Sequence, residues 1–206
     1  MPAAHAGAAP ADFTAITTTA GFQMGVVSQS SKGWKTFADV VAAAKSGQDI
    51  RFGVMSPKLA DLAYLLGKAQ GVEFNIVSVK GGKAVMNGVV AGDLDVGYMA
   101  GIQGKGVAAG DLVNLASALS VPLKQTPDAP TLADLGVAFN SDGYFAFIGP
   151  KGMPAEARDA IAAAVGDAIS TEGTKVNGLL NKAFGGPTII AGDDLQALVE
   201  GAFAAA

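Results

Sequence analysis

The chain has no cysteine, one histidine, one tryptophan and three tyrosines among 206 residues, and only 16% of it is charged. Without cysteine there is no disulfide framework, no thiol nucleophile and no Cys-ligated zinc, and the redox compartment stays open. A single histidine, His5, in an Ala/Pro/Gly-rich start without periodicity, cannot support a Ser-His-Asp triad and reads as inert. Long hydrophobic runs are missing too, so no stretch reaches the ~18 apolar residues that a membrane span needs. The N-terminus, MPAAHAGAAPADF, lacks the basic start and apolar core of a secretory signal. Lysine and arginine are few and scattered, and the formal net charge is -4, which argues against a nucleic-acid partner or an anionic membrane surface.

What is present is small and apolar. Half of the chain is hydrophobic, inflated by 40 alanines, and 28 glycines are about twice the usual ~7%. A chain of this length can bury roughly 70% of its unfolded surface, enough for one compact domain or two small lobes. From Phe13 onward, short β-rich runs alternate with Ala/Leu-rich helical runs, the pattern of an α/β fold with a mostly parallel sheet under covering helices. Strands are expected near 13–19, 24–28, 51–55, 73–79, 94–100, 112–118, 143–149 and 187–190. Helices are expected over 37–45, from Pro57 to Gly71, over the segment after Gly82, weakly over 101–109, after Pro154, near Thr174 and from Asp193. Thr36 with Asp39 three residues later is a capping-box spacing. Ser56 followed by Pro57 is an N-cap with proline at the first helical position, and Leu59, Leu62, Ala63 and Leu66 form one apolar stripe behind it. The Pro-rich segment 121–136 reads as a connection.

In open α/β sheets ligands lie beyond the carboxyl ends of the strands, where loops turn into helix N-termini rich in unpaired N–H groups. Two loops suit an anion. Ser56-Pro57-Lys58 is either an ordinary cap or a cap whose hydroxyl turns to a ligand. Lys80-Gly81-Gly82-Lys83-Ala84 is either a tight turn or a cradle in which two residues without Cβ let amides approach a ligand. Lys58, Lys80 and Lys83 share the same expected edge, as solvated charges or as ligand contacts.

Other motifs fail. Gly82-Lys83 and Gly104-Lys105 imitate the end of a phosphate-binding loop, but neither lysine is followed by Ser or Thr. Gly104-x-Gly106-x-x-Ala109 is a weak dinucleotide match. Asp93 and Asp95 read as solvated, and Asp12, Asp128 and Asp134 as loop or cap acids. Phe145, Phe147 and Met99 read as core more readily than as a cofactor set. No metal or cofactor is implied.

The ordered series of segments is more specific than any single motif. Lys80-Gly81-Gly82, Gly92-Asp93-Leu94-Asp95, Pro127-Asp128-Ala129-Pro130-Thr131 through Gly136, and Pro150-Lys151-Gly152-Met153-Pro154 stand in the same order as in the TctC/Bug receptors, which the chain resembles from about Asp12 to its end. These are the extracytoplasmic solute-binding proteins of tripartite tricarboxylate transporters. The resemblance implies a two-lobed, type II periplasmic-binding-protein fold, with 25–142 as a complete lobe matching the family's second domain. The partial lobe would be 1–24 plus 143–206, the chain crossing twice, with the family's N-terminal strand and Gly-rich loop unmatched. It implies a periplasmic, non-enzymatic receptor that captures a small organic carboxylate in an interlobe cleft and hands it to membrane permease subunits. Its ligand-binding residues would be Ser56, Pro57, Lys58, Lys80, Gly81, Gly82, Lys83, Ala84 and Met99. Val79 stands where the family usually has an aromatic, and Met55-Ser56-Pro57-Lys58 replaces its glycine-serine loop, so the solute class stays open. Two other readings remain: a binding-inactive relative that self-associates through the incomplete lobe, and a small α/β effector-binding domain or enzyme on the same fold.

Overall fold

A computed structural model describes residues 7–204; His5 lies outside the described residues. The chain divides into two compact units. Unit 1 comprises the described part of Met1–Gly21, Gly143–Lys182 and the described part of Gly186–Ala206; unit 2 comprises Phe22–Asp142 and Ala183–Gly185. In chain order the strands and helices are β1 (Phe13–Gly21), β2 (Gly25–Gln29), α1 (Phe37–Lys45), β3 (Arg51–Val54), α2 (Pro57–Gln70), β4 (Asn75–Ser78), α3 (Gly82–Ala91), β5 (Val96–Met99), α4 (Gly104–Ala109), β6 (Leu112–Ser117), β7 (Tyr144–Pro150), α5 (Ala155–Ser170), α6 (Lys175–Phe184) and α7 (Gly192–Ala204).

Unit 2 is built on a five-stranded sheet in the order β4-β3-β5-β2-β6. Its α/β class is as the alternation of patterns predicts, but the sheet is mixed. β3 runs parallel to β4 and β5, whereas β2 runs antiparallel to both β5 and β6. The helix α1 links β2 to β3, which is not its neighbour in the sheet, so that connection does not set the direction of β2 against β5 and β6, and a fully buried strand has the same apolar sequence either way. Successive side chains point to opposite faces. Val26, Phe52 and Tyr98 therefore pack with Phe37, Val40, Leu59, Leu62 and Leu66 of α1 and α2. Val27 and Met99 pack on the other face with Val85 and Val89 of α3. Phe52 is the centre of an aromatic group, its ring 5.0 Å from Tyr98 and 5.4 Å from Phe74.

Local sequence explains the helix ends. At α1, Asp39 reaches back so that its carboxylate accepts from the Thr36 N–H at 2.8 Å. α2 starts at Pro57 behind the Ser56 cap and stops at Gly71. The position of α3 is set by a dimple in the sheet: Gly53 and Gly97 are partners, and a Cβ on Gly97 would fall 2.4 Å from Val85 Cγ1. Only glycine there lets the helix settle so close. The Pro-rich segment after β6 is more than a connection, because it places Leu123, Leu132 and Val137 in the core.

In unit 1, β1 and β7 form a two-stranded antiparallel sheet. The α5 and α7 helices pack on β1, and Ala15 is buried with Leu195 and Val199. The expected strand 187–190 lies along β1, with Thr188 N–H donating to Thr19 O and Thr18 N–H to Ile190 O, both at 2.9 Å. It forms no continuous ladder, and Pro187 has no N–H to contribute to one. The expectation that Phe145 and Phe147 are core is corrected: they are 40% and 48% exposed on β7, because the packed helices cover β1 and leave β7 open.

Candidate functional site

The two loops singled out by sequence come after neighbouring parallel strands of unit 2. Val54 at the end of β3 is in register with Ser78 at the end of β4, and Val79 N–H donates to Val54 O at 2.9 Å. Both loops therefore leave the same end of the sheet, side by side.

In the first loop the Ser56 side-chain oxygen accepts from Leu59 N–H at 3.3 Å, so Ser56 is the N-cap of α2. Pro57 and Lys58 are exposed beside it. In the second loop Lys80 and Lys83 are exposed, and Gly81 has φ 80° and ψ 165°, a conformation essentially reserved for glycine. Gly81 O accepts from Ala84 and Val85 and closes the first turn of α3. No side chain caps this helix, and among the described residues no acceptor meets the N–H of Gly82 or Lys83. The ion pairs of the described residues join Lys32 and Arg51 to Asp95 and Arg158 to Asp159, leaving Lys58, Lys80 and Lys83 without an acidic partner. Two adjacent N–H groups at a helix start, with Lys58, Lys80 and Lys83 carried on the same two neighbouring loops, form an electropositive corner able to hold a carboxylate.

A third loop joins this corner, which sequence did not indicate. A Cβ built on Gly82 would lie 3.4 Å from Met55 Sδ and 3.8 Å from Ile102 Cδ1. Ile102 belongs to the loop after β5, the other parallel neighbour of β3. That loop is held by Gln103, which is fully buried: its Oε1 accepts from Gly101 N–H at 2.8 Å and its Nε2 donates to Gln23 O at 2.9 Å. Only the strand order β4-β3-β5 would have signalled the convergence. Met99, the last site residue expected from sequence, is placed elsewhere: it is fully buried in the core among Val27, Val85 and Leu112. Among the described residues no three or more His, Asp or Glu side chains come together as a metal-binding group.

Asp95 also corrects the sequence reading. It is buried, at the opposite end of the sheet from the loops, and accepts from Arg51 N–H and Arg51 Nε–H at 2.9 Å each and from Lys32 Nζ. Burial works against its charge, but the hydrogen bonds from Arg51 and Lys32 outweigh it and hold the carboxyl down to about 2. Asp95 is a structural anion pinning the starts of β3 and β5.

Comparison with known proteins agrees with this architecture. The family model of the tripartite tricarboxylate transporter family receptor, TctC, matches residues 8–185. The chain belongs to that family. Its fold is shared by a TctC solute-binding protein from Polaromonas, at 20% identity and a TM-score of 0.66 over 96% of this chain and 68% of that one. An R. palustris protein solved with adipate matches at 22% identity and a TM-score of 0.72, over 97% of this chain and 68% of its own. MatC from Rhodopseudomonas palustris, with bound malate, matches at 17% and 0.71, over 94% and 68%. The chain thus spans about two thirds of the length of these structures. A search of curated proteins finds no match.

Proposed function

We propose that this chain is a solute-binding receptor that captures a small organic carboxylate for a tripartite tricarboxylate-type transporter, working in the periplasm and delivering to membrane permease subunits. The observation that carries the reading is the start of α3, where the N–H groups of Gly82 and Lys83 have no acceptor and Lys58, Lys80 and Lys83 have no counter-ion among the described residues. A carboxylate there accepts from the two amides while the lysines neutralise its charge; Ser56, Pro57 and Ala84 shape the corner. Binding of this kind needs no acid-base pair, nucleophile or cofactor. The family to which the chain belongs supports it, and so do relatives of similar fold holding adipate and malate. We assign unit 2 to the family's second domain and unit 1 to part of its first. No helix among the described residues is long and apolar enough to cross a membrane.

The reading is tested by thermal unfolding with a panel of dicarboxylates and aromatic acids. A ligand present at 100 times its Kd stabilises the folded state by about 2.7 kcal/mol. At least one acid is expected to raise Tm saturably; no shift with any of them at millimolar concentration would contradict the proposal. A second reading, self-association through unit 1, draws on one observation, the exposure of Tyr144, Phe145, Phe147 and Ile148 along β7. Sedimentation decides it, since a monomer at high concentration removes it.

A further inference from the structure

We infer that β7 is the seam of a symmetric dimer, in which two copies of this chain pair their β7 strands edge to edge, antiparallel, about a two-fold axis at Ala146. The inference rests on the second reading above, self-association through unit 1, and adds the partner strand, its direction and its register.

The two-stranded sheet of unit 1 has two outer edges, and they differ. The edge of β1 is covered by the segment 187–191, through Thr188 N–H to Thr19 O, Thr18 N–H to Ile190 O and a bridge from Thr17 to Ala191. Among the described residues no strand meets the edge of β7. Lys151 N–H donates to Asp12 O at 3.1 Å and Phe145 O accepts from Thr19 Oγ1 at 3.3 Å, so the odd-numbered residues turn their backbone toward β1. By the two-residue alternation of a strand, Tyr144, Ala146 and Ile148 turn theirs outward. The devices that blunt an exposed edge are missing. β7 carries no charge, its proline is its last residue, and both irregularities of the ladder place the extra residue on β1.

The sequence of the strand decides what covers it. A two-fold contact must be complementary to itself, and Tyr-Phe-Ala-Phe-Ile is nearly symmetric in side-chain size about Ala146. With the axis there, Phe145 stands opposite Phe147 of the second copy and Tyr144 opposite Ile148, the aromatic and β-branched pairs that stabilise antiparallel sheets. The smallest side chain sits on the axis, and the outward N–H groups of Tyr144, Ala146 and Ile148 each meet a carbonyl of the other copy. Charge agrees, since exposed Asp142 precedes the strand and exposed Lys151 follows it. Antiparallel pairing brings each copy's Asp142 within one residue of the other's Lys151, whereas parallel pairing would set like against like. With Tyr144, Phe145, Phe147 and Ile148 exposed by 38–48%, and about 200 Å² to a whole aromatic side chain, each copy offers roughly 300–350 Å² of side chain. A standard interface takes about 800 Å² per partner, so this dimer is weak and forms with concentration.

Sedimentation velocity of the full chain over about 5–500 μM is expected to show a monomer passing into a dimer. Ala146→Pro removes an outward N–H and none that pairs with β1, and is expected to weaken the dimer by about tenfold or more. Phe147→Thr stands in if the proline variant does not fold. The chain has no cysteine, so single cysteines read the register directly. Hydrogen-bonded antiparallel partners have Cα atoms about 5.5 Å apart, within disulfide reach, and oxidised Ala146→Cys is expected to become a covalent dimer. Ile148→Cys, about 13 Å from its copy in this register, is expected to stay unlinked. A monomer throughout the range would overturn this inference and the self-association reading together. A dimer that Ala146→Pro and Phe147→Thr leave intact and Ala146→Cys does not lock would overturn the β7 seam while leaving self-association standing.

Discussion

The strands of unit 2 and those of unit 1 are written in equally apolar sequence, but the two units use it differently. In unit 2, Phe52, Val54, Val96, Tyr98 and Met99 are all essentially inaccessible, because helices cover both faces of the sheet. In unit 1, Tyr144, Phe145, Phe147 and Ile148 of β7 remain exposed, and the buried residues are fewer: Ala15, Leu195 and Val199 form one small cluster, with Ile16, Ala20, Ile169 and Leu180 also buried. A two-stranded sheet has marginal stability by itself and depends on the helices packed against it. Unit 2 is therefore a self-sufficient scaffold able to hold three loops in a fixed relation, and the candidate site lies on it. Unit 1 is the softer half.

The contrast is broken most directly at the cores. Phe52→Ala removes the centre of an aromatic group in a fully packed layer and is expected to cost about 3–5 kcal/mol of unfolding free energy in urea. Leu195→Ala in unit 1 is expected to cost about 2 kcal/mol, at the low end for such truncations, because its smaller cluster can relax. Equal losses would show the two cores to be equivalent.

Acid sharpens the same comparison, since the buried ionic anchor Asp95 belongs to unit 2. Its folded-state carboxyl titrates near 2 instead of the ordinary 3.8. A depressed value means that the ionised form stabilises the fold, which by linkage is worth about 2 kcal/mol above roughly pH 5 and is lost as pH falls toward 2. Asp95→Asn is expected to lower stability at pH 7 by a similar amount and to flatten the loss between pH 5 and 2, measured by urea titration at each pH. An unchanged slope would remove Asp95 from the account.

The smallest effects separate two adjacent glycines. Gly81→Ala forces a side chain into a backbone region reserved for glycine and is expected to cost about 1–3 kcal/mol. Gly82→Ala has ordinary contact distances to Met55 and Ile102 and stands in the first turn of α3, so it is expected to stay within about 0.5 kcal/mol of the parent. Thermal unfolding of the two variants side by side checks the difference.

What was legible in the sequence was local. Thr36 with Asp39, Ser56 with Pro57 and Gly71, and the pair Gly81-Gly82 each specify an end of a helix within a few residues, and each is found where its chemistry places it. What was illegible depends on which strands become neighbours. Lys32, Arg51 and Asp95 meet across tens of residues, and no pattern in the chain marks Asp95 as buried. Met55 and Ile102 come together only because β3 lies between β4 and β5. The direction of β2 and the exposure of β7 are set by the elements that pack on them, not by their own apolar residues. Met99 shows the same limit from the other side: the family resemblance placed it among the ligand-binding residues, and in the fold it is buried in the core with Val27 and Val85.

The central claim is that backbone amides at the start of α3 bind a carboxylate. Titrating the isotope-labelled protein with succinate or adipate while tracking the amide resonances of Gly82 and Lys83 tests it most directly. Saturable shifts, largest at these two amides and accompanied by smaller ones near Lys58 and Ile102, are the expected result. Binding that leaves the Gly82 and Lys83 amides unmoved would contradict it.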